Sequence, residues 1–465
     1  MQIIRIITFL SLCFTACQAK NIVIQNNSRY ELDAIVMGDK WEPGQLVIAP
    51  YTQAVVALAV NNSGTVTLIS NQTLDDKAKS LIATPEAQEI TIGLTKQKSG
   101  FTVSQSTGMC KDNKPVNEVA FDKAQLTWQI SNLGCVLVTT YNDGDTLGFI
   151  INPTIEAVKT DANSISVMSY NLFFLPYEAL SKLGALGQKI LELFLPDSII
   201  EQTHIRDLKK LTTGQLQRAQ RIPEHIAHLA DVYAFQEGFD ADARRELVNG
   251  MKRLGVPYST SVLGRNIVAS GGRFTNGGVF FMSRYPIVSV EKVFYQDLGL
   301  PSTDSDEKAD KGFVYVVIEK QGRLTHIINT HTQSRNNKLG REIRAKQFAE
   351  IRKFIDKKKI PADQLVLITG DMNVTGERFP VEYQSMIGTL NVTHPAIVGY
   401  PYSVDPRKND PGQILDYIFY DNQHLQPRES FNMIYKMFSR KPWKLGDELQ
   451  WFLSDHFPVI GYFRY

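Results

Sequence analysis

The sequence predicts a four-layer α/β sandwich of two packed sheets, preceded by a small all-β domain. Three observations carry this prediction. Residues 20–158 hold only short β-prone runs separated by turn signals, whereas residues 164–465 alternate apolar strand cores with helix-like stretches. Many strands of the second part end in polar residues, and few true β-α-β repeats occur, which suits two packed sheets better than one parallel sheet. At 465 residues the chain is long enough for two buried cores.

In the first part, Asn21–Ile24, Glu31–Met37, Gln45–Ile48, Ala54–Val60 and Thr65–Ile69 read as strands, with Asn-Asn, Asn-Ser-Gly and Pro-Gly turns between them. Glu89–Ile92, Leu126–Ile130, Val136–Thr139 and Leu147–Ile151 continue the series, as in a β-sandwich. This domain carries no recognisable site chemistry. In the second part, strand cores fall at Ile165–Tyr170, Val232–Gln236, Gly278–Ser283, Phe313–Glu319, Thr325–Thr330, Leu365–Thr369, Ile414–Tyr420 and Pro458–Phe463. Between two of them Arg341–Lys357 places Phe348, Ile351 and Ile355 at helical spacing. The stretch Tyr177–Gln217 is apolar and helix-like, and reads as extra packing or a lid.

The N-terminal 19 residues read as an export signal: Arg5 is the only charge, Ile6–Phe14 is apolar, and small residues follow. Cleavage after Ala19 would free Lys20, while Phe14-Thr15-Ala16-Cys17 resembles a lipobox that would leave a lipidated Cys17. The protein is therefore expected to be secreted or extracytoplasmic, with lipid anchoring through Cys17 as an alternative. No later apolar run reaches the ~20 residues a membrane-spanning helix needs. Cys110 and Cys135 are the cysteines outside the signal, and in an oxidising compartment they are candidates to pair. Lys plus Arg (50) nearly balance Asp plus Glu (48). The basic excess by which a duplex-binding protein displaces counterions is missing, so no nucleic-acid partner is expected. No protein partner is inferred, and a monomer is expected.

The chemistry gathers at the C-terminal ends of the strands, where open α/β sheets collect ligands. In order, strand ends hold Asn171, Glu237, His331 and Asp371 with Asn373, while Asp416 sits within Ile414-Leu415-Asp416-Tyr417 and Ser454-Asp455-His456 precedes the last strand. Each alone has an ordinary structural reading, as a turn residue, a strand-end carboxylate or a core histidine. Their serial placement is what points to a site. The donor set is oxygen-rich and lacks a cysteine pair or close histidine pair, which favours a hard cation such as Mg²⁺ over zinc. Glu237 is the best single ligand, with Asn171 adding a neutral oxygen. His456 and His331 are the available proton carriers, and Asp371 and Asn373 can position a water and phosphoryl oxygens.

The stretches MSYN, FQEGFD, NGGVFFMSRYPI, KGFVYVVIEK, NTHTQS, LITGDMNV, LDYIFY and SDHFPV resemble the endonuclease/exonuclease/phosphatase superfamily, whose fold is DNase I-like. Within it they resemble the bacterial neutral sphingomyelinases, over about residues 164–465. The resemblance implies a Mg²⁺-dependent phosphodiesterase that hydrolyses sphingomyelin to ceramide and phosphocholine. It implies that Glu237 binds the catalytic Mg²⁺ with Asn171 close by, and that Asp455 supports the metal site. His456 would be the general base, oriented by Asp416. Asp371 and Asn373 would hold water and phosphate. His331 would stabilise the phosphorane-like state or protonate the ceramide oxygen. Two departures, Gly238-Phe239-Asp240-Ala241 after the glutamate and Thr275-Asn276 before the Gly-Gly, remove ligands expected for a second, peripheral metal. A nuclease or phosphoinositide phosphatase of the same superfamily is the alternative enzyme, and a non-catalytic membrane-binding toxin the alternative of another class.

Sphingomyelin lies in a bilayer, so the protein is expected to meet a sphingomyelin-containing membrane surface. Phe431–Trp451 interleaves aromatic and basic residues, as interfacial segments do. Met437, Phe438 and Trp443 are the docking residues this pattern predicts, on an apolar β-hairpin of the kind the resemblance implies.

Overall fold

The computed structural model describes residues 20–26, 31–38, 44–48, 52–60, 63–71, 88–97, 100–105, 107, 109, 115–121, 124–131, 134–142, 146–153, 160–175, 214–264, 275–296, 309–404, 412–445 and 448–465. The signal-like N-terminus with Cys17, the candidate partner Cys110 and most of the Tyr177–Gln217 stretch lie outside them. The chain divides into two compact units, Met1–Thr154 with Arg440–Pro442, and Ile155–Ser439 with Trp443–Tyr465.

The first unit contains two sheets. One orders Thr52–Val60, Lys20–Asn26, Thr146–Pro153, Gly134–Asn142 and Gln125–Ser131. The other orders Gly44–Ile48, Glu31–Gly38, Gly64–Asn71, Gln88–Gln97, Gly100–Gln105 and Val116–Ala120. Alternate residues from both sheets, including Ile22, Ile24, Phe149, Val66, Ile90 and Trp128, form one buried cluster. This is the period-2 signature of sheets with one face inward. Gly100–Gln105 and Val116–Ala120 were not evident from sequence. Val116–Ala120 ends its sheet and is mostly exposed, so it lacks a continuous apolar pattern.

The second unit packs a seven-stranded sheet against a six-stranded one. The first orders Tyr258–Ser259, Phe280–Ser283, Val232–Gly238, Ser164–Phe174, Val459–Arg464, Glu429–Ile434 and Ala396–Gly399. The second orders Ile287–Phe294, Gly312–Lys320, Arg323–His331, Leu365–Asp371, Asp416–Asp421 and Val392–Thr393. Helices Gly214–Ile226 and Ala241–Arg253 bury residues in the core of the seven-stranded sheet. Helices Lys338–Lys358 and Pro380–Leu390 pack in the core of the six-stranded one. The layers are therefore helix, sheet, sheet, helix. Central strands are buried on both faces, which explains their near-continuous apolar reading.

Register puts the chemistry in rows. His331 pairs with Asp371 across parallel strands, and Asp371 pairs with Asp416 across antiparallel ones. At the other end of the sandwich, Gln321 (φ +50) and Gly322 (φ +81) make the two-residue turn between Gly312–Lys320 and Arg323–His331. There Lys320 reaches from the six-stranded sheet to Asp231 Oδ2 (2.9 Å) and to the Ser164 carbonyl (2.8 Å). This pair is almost wholly buried. Next to the Glu237 and His331 strand ends, Gln236 Nε2 donates to Asn329 Oδ1 at 2.7 Å, a further polar tie between the sheets.

Removing one member of the Lys320–Asp231 pair leaves a buried charge uncompensated. Asp231→Ala is expected to destabilise the protein by about 3–5 kcal/mol in urea denaturation. The double change Lys320→Met with Asp231→Leu should recover most of that loss.

Candidate active site

Three residues with positive φ shape the floor of the site: Phe173 (+53°), Glu237 (+52°) and Asn373 (+49°). Such backbone persists only where its surroundings hold it. Arg218, fully buried in helix Gly214–Ile226, donates to the carbonyls of Leu172 (2.8 Å), Phe173 (2.6 Å) and Leu453 (3.0 Å). It thereby fixes the end of the strand that carries Asn171. The loop after Glu237 is held from two sides. Arg244 donates to the Gly238 and Phe239 carbonyls, and Asn276 donates to Phe239 O (3.0 Å) while accepting from Gly278 N (2.8 Å). Gly278 has φ +69, and a Cβ there would stand 3.0 Å from Glu237 Cα, so glycine is required for this close approach.

Asn171 joins the two sheets. Its Nδ2 donates to Glu237 Oε1 and to Asp371 Oδ2, both at 3.0 Å, and its Oδ1 accepts from Phe173 N at 3.0 Å. The backbone contact turns the amide so that its NH₂ faces the carboxylates. Asp371 Oδ1 accepts from Asn373 N (3.0 Å), and Asn373 Nδ2 donates to the Thr332 carbonyl (3.2 Å). His331 Nε2 lies 3.7 Å from Asp371 Oδ2 and 3.9 Å from Glu237 Oε1. His456 Nδ1 hydrogen-bonds Asp416 Oδ2 at 2.7 Å, which directs Nε2 toward Asp371 Oδ2, 3.9 Å away.

Sequence reasoning missed Ser403. Its hydroxyl donates to Asp416 Oδ2 at 2.7 Å and accepts from the amides of Leu415 (3.0 Å) and Asp416 (3.1 Å). Its carbonyl accepts from Phe457 N at 2.7 Å, so one residue braces both partners of the histidine–aspartate pair. It belongs to no regular strand and no motif, and only an alignment of its loop with the site in space reveals it.

Burial, and then Asp455, raise the Glu237 carboxyl to about 7, although Asn171 opposes the shift. Burial, followed by the charge of Lys311, lowers His331 to about 3, against the pull of Asp371. For His456, burial works downward, but the charge and hydrogen bond of Asp416, with Asp455 and Asp371, lift it well above the usual histidine value. The two histidines are thus driven apart, His331 toward the neutral form and His456 toward greater basicity. Glu237, His331 and Asp371 bring ligand atoms within 4.8 Å of one another, as do Asp371, Asp416 and His456. Crowded carboxylates, among which Glu237 is raised, fit a hard divalent cation, whose charge would bring Glu237 back to its ionised form.

The predicted docking residues do not share this placement. Met437 is 2% exposed and joins the core of the seven-stranded sheet, and Trp443 is 3% exposed. Trp443 Nε1 donates to the Phe452 carbonyl (3.0 Å), and its ring lies so near Gly214 that a Cβ there would be 2.4 Å away. Lys436 is also buried, over the Tyr400 ring at 4.7 Å. The pairing of Phe438–Leu445 with Glu448–Phe452 does form a hairpin, but Met437 and Trp443 face inward and cannot dock. The Phe438 side chain lies outside the described residues.

Residues 169–456 match the profile of the Endonuclease/Exonuclease/phosphatase family. The chain belongs to this family. Among endonuclease/exonuclease/phosphatase proteins it is 39% identical to a sphingomyelinase C from Leptospira interrogans over 271 residues, 54% of this chain and 48% of that protein. It is 36% identical to a phospholipase C from Staphylococcus aureus, over 54% of this chain and 81% of that one. The chain spans about half the length of the Leptospira relatives it matches. A crystal structure of a beta toxin double mutant from Staphylococcus aureus with bound magnesium ions superposes with a TM-score of 0.51. That structure is 28% identical, covering 65% of this chain and all of the other. Sphingomyelinase C from Streptomyces griseocarneus gives 0.52 at 27% identity, with 65% and 99% covered.

Asp416→Asn removes the carboxylate that lifts His456. In the metal-free protein its imidazole should then titrate at lower pH, read from the ring-proton NMR shift. A histidine raised on folding stabilises below its unfolded pKa and loses that contribution as pH rises through the folded value. The variant should therefore lose this increment at acid and neutral pH and show a flatter stability profile across that range.

Proposed function

We propose that the protein is an exported, Mg²⁺-dependent sphingomyelin phosphodiesterase releasing ceramide and phosphocholine. One observation carries the chemistry: the His456–Asp416 pair and the Glu237–Asp371 carboxylates converge from two sheets on a single strand-end site. Relatives named sphingomyelinase C, at 39% and 35% identity, support the choice of substrate. The near-balanced charge argues against a duplex substrate, and the signal-like N-terminus supports export.

In this reading Glu237 and Asp371 hold the cation, with Asp455 adding negative charge beside them. When bound, the cation neutralises the phosphoryl group and fixes its position. Asp416 occupies Nδ1 of His456, so Nε2 is the nitrogen that takes a proton from the attacking water. As the water oxygen bonds to phosphorus, the bond to the ceramide oxygen breaks, its electron pair leaves with that oxygen, and the oxygen takes up a proton from solvent to give ceramide. His331, held neutral by burial, donates a hydrogen bond to a phosphoryl oxygen. Its low pKa favours this role over protonating the leaving group. Asn373, braced at the Thr332 carbonyl, lines the same pocket.

Phosphocholine release from sphingomyelin liposomes should require Mg²⁺ and stop in EDTA, with no plasmid nicking in parallel. His456→Ala should lower turnover about 10²–10⁴-fold without unfolding the protein. Retention of activity within a few-fold would overturn the assignment of the base. Glu237→Gln should weaken Mg²⁺ binding, measured by calorimetry in the absence of substrate.

A further inference from the structure

The inward-facing Met437 and Trp443 leave open which surface of the second unit meets a bilayer. At one side of the sandwich, Tyr258–Ser259 ends the seven-stranded sheet and Ile287–Phe294 ends the six-stranded one. A cleft of about 440 Å³ opens there. Arg244, Arg245 and Lys292 line it together with the hydroxyls of Thr260 and Ser261, and no carboxylate is among its lining residues. Lys292 crosses between the sheet edges, donating to Ser261 Oγ (2.6 Å) and the Val262 carbonyl (2.8 Å). Arg244 is fixed against the carbonyls of Gly238 and Phe239, directly after the metal-ligand candidate Glu237. Arg245 is exposed, and its i,i+3 partner Asp242 is also exposed, so that pair contributes little to holding it.

The two sheet edges that carry the cleft residues also expose apolar side chains. Val290 and Phe294 alternate with Lys292 along the edge strand and so share its face; they are 44% and 39% exposed. Tyr258, on the opposing edge, is 41% exposed. Edge strands are ordinarily blunted by outward charges. Here aliphatic and aromatic side chains stand outward instead, beside cations that complement lipid phosphate. Apolar and aromatic groups at the headgroup level, with basic side chains reaching phosphates, are what a membrane interface selects.

We propose that this sheet edge is a membrane-docking surface for acidic phospholipids. Their anionic headgroups enter the cleft between Arg245 and Lys292, while Val290, Phe294 and Tyr258 contact the interfacial layer. The proposal rests on the lipid-substrate reading for its purpose, but not for its test. The full chain is sedimented with sphingomyelin-free vesicles of phosphatidylcholine alone, or with phosphatidylglycerol added. Binding should be tighter to the anionic vesicles and weaken as salt rises. Arg245→Glu should reduce the anionic preference about fivefold or more, the size expected for one basic side chain near a charged surface. Phe294→Ser should weaken binding to both vesicle types. Both variants should hydrolyse a soluble phosphodiester at the parental rate, which separates docking from catalysis. Equal binding to the two vesicle types, or an Arg245→Glu variant with undiminished anionic preference, would overturn the proposal. Failure of sphingomyelin hydrolysis with intact anionic-vesicle binding would instead count against the substrate assignment alone.

Discussion

Two buried carboxylates from different sheets lie close together, and the Asn171 amide is what makes that possible. Its two N–H groups point at Glu237 and Asp371, one from each sheet, so the negative groups approach through a shared donor. The Asn171 orientation is in turn set by the Phe173 amide, and the Phe173 carbonyl by Arg218. A chain of buried hydrogen bonds therefore runs from a helix on the outer layer to the paired carboxylates. Each link is satisfied only if the others are, which is how a polar network inside a protein specifies one arrangement.

The same logic recurs along the sandwich. Apolar side chains between two sheets fill space without fixing how one sheet slides on the other. The Lys320–Asp231 pair at the far end, the Gln236–Asn329 amide contact beside the site and the Asn171 bridge within it fix that slide from both ends. Gln236 and Asn329 stand one and two residues before Glu237 and His331, so their contact sets the separation of those side chains across the gap. Ser403 does comparable work within the histidine–aspartate pair, holding Asp416 from one side and the backbone beside His456 from the other.

What was legible in the sequence followed from periodicity. Strands such as Leu365–Asp371, buried on both faces, announce themselves as apolar runs, and the first polar residue after each run falls at a strand end. That rule singled out Glu237, His331 and Asp371 as candidates, whereas His456 stands before the strand Val459–Arg464. It failed for residues whose role is set by a neighbour in space: Ser403 in an irregular segment, and Arg218, a buried cation on a helix whose sequence resembles a solvated face. Strands Ile287–Phe294, Glu429–Ile434 and Ala396–Gly399 were not singled out, because half-buried strands near the sheet edges alternate weakly. The hairpin was misread for a related reason. Aromatic and basic residues in alternation describe an interfacial segment and an inward-folded one equally, and only the contact of Trp443 with Gly214 distinguishes them.

The turn at Gln321 and Gly322 bears on how such a scaffold tolerates change in length. A residue added within Leu365–Asp371 would exchange the faces of every side chain beyond it and carry Asp371 away from both His331 and Asp416. Added at Gly322, where a Cβ would meet nothing within 4 Å, it would lengthen a hairpin tip at the opposite end. The catalytic row would keep its register. That tip is accordingly a natural port for a grafted peptide or a spectroscopic label, provided the adjoining Lys320 keeps its buried partner.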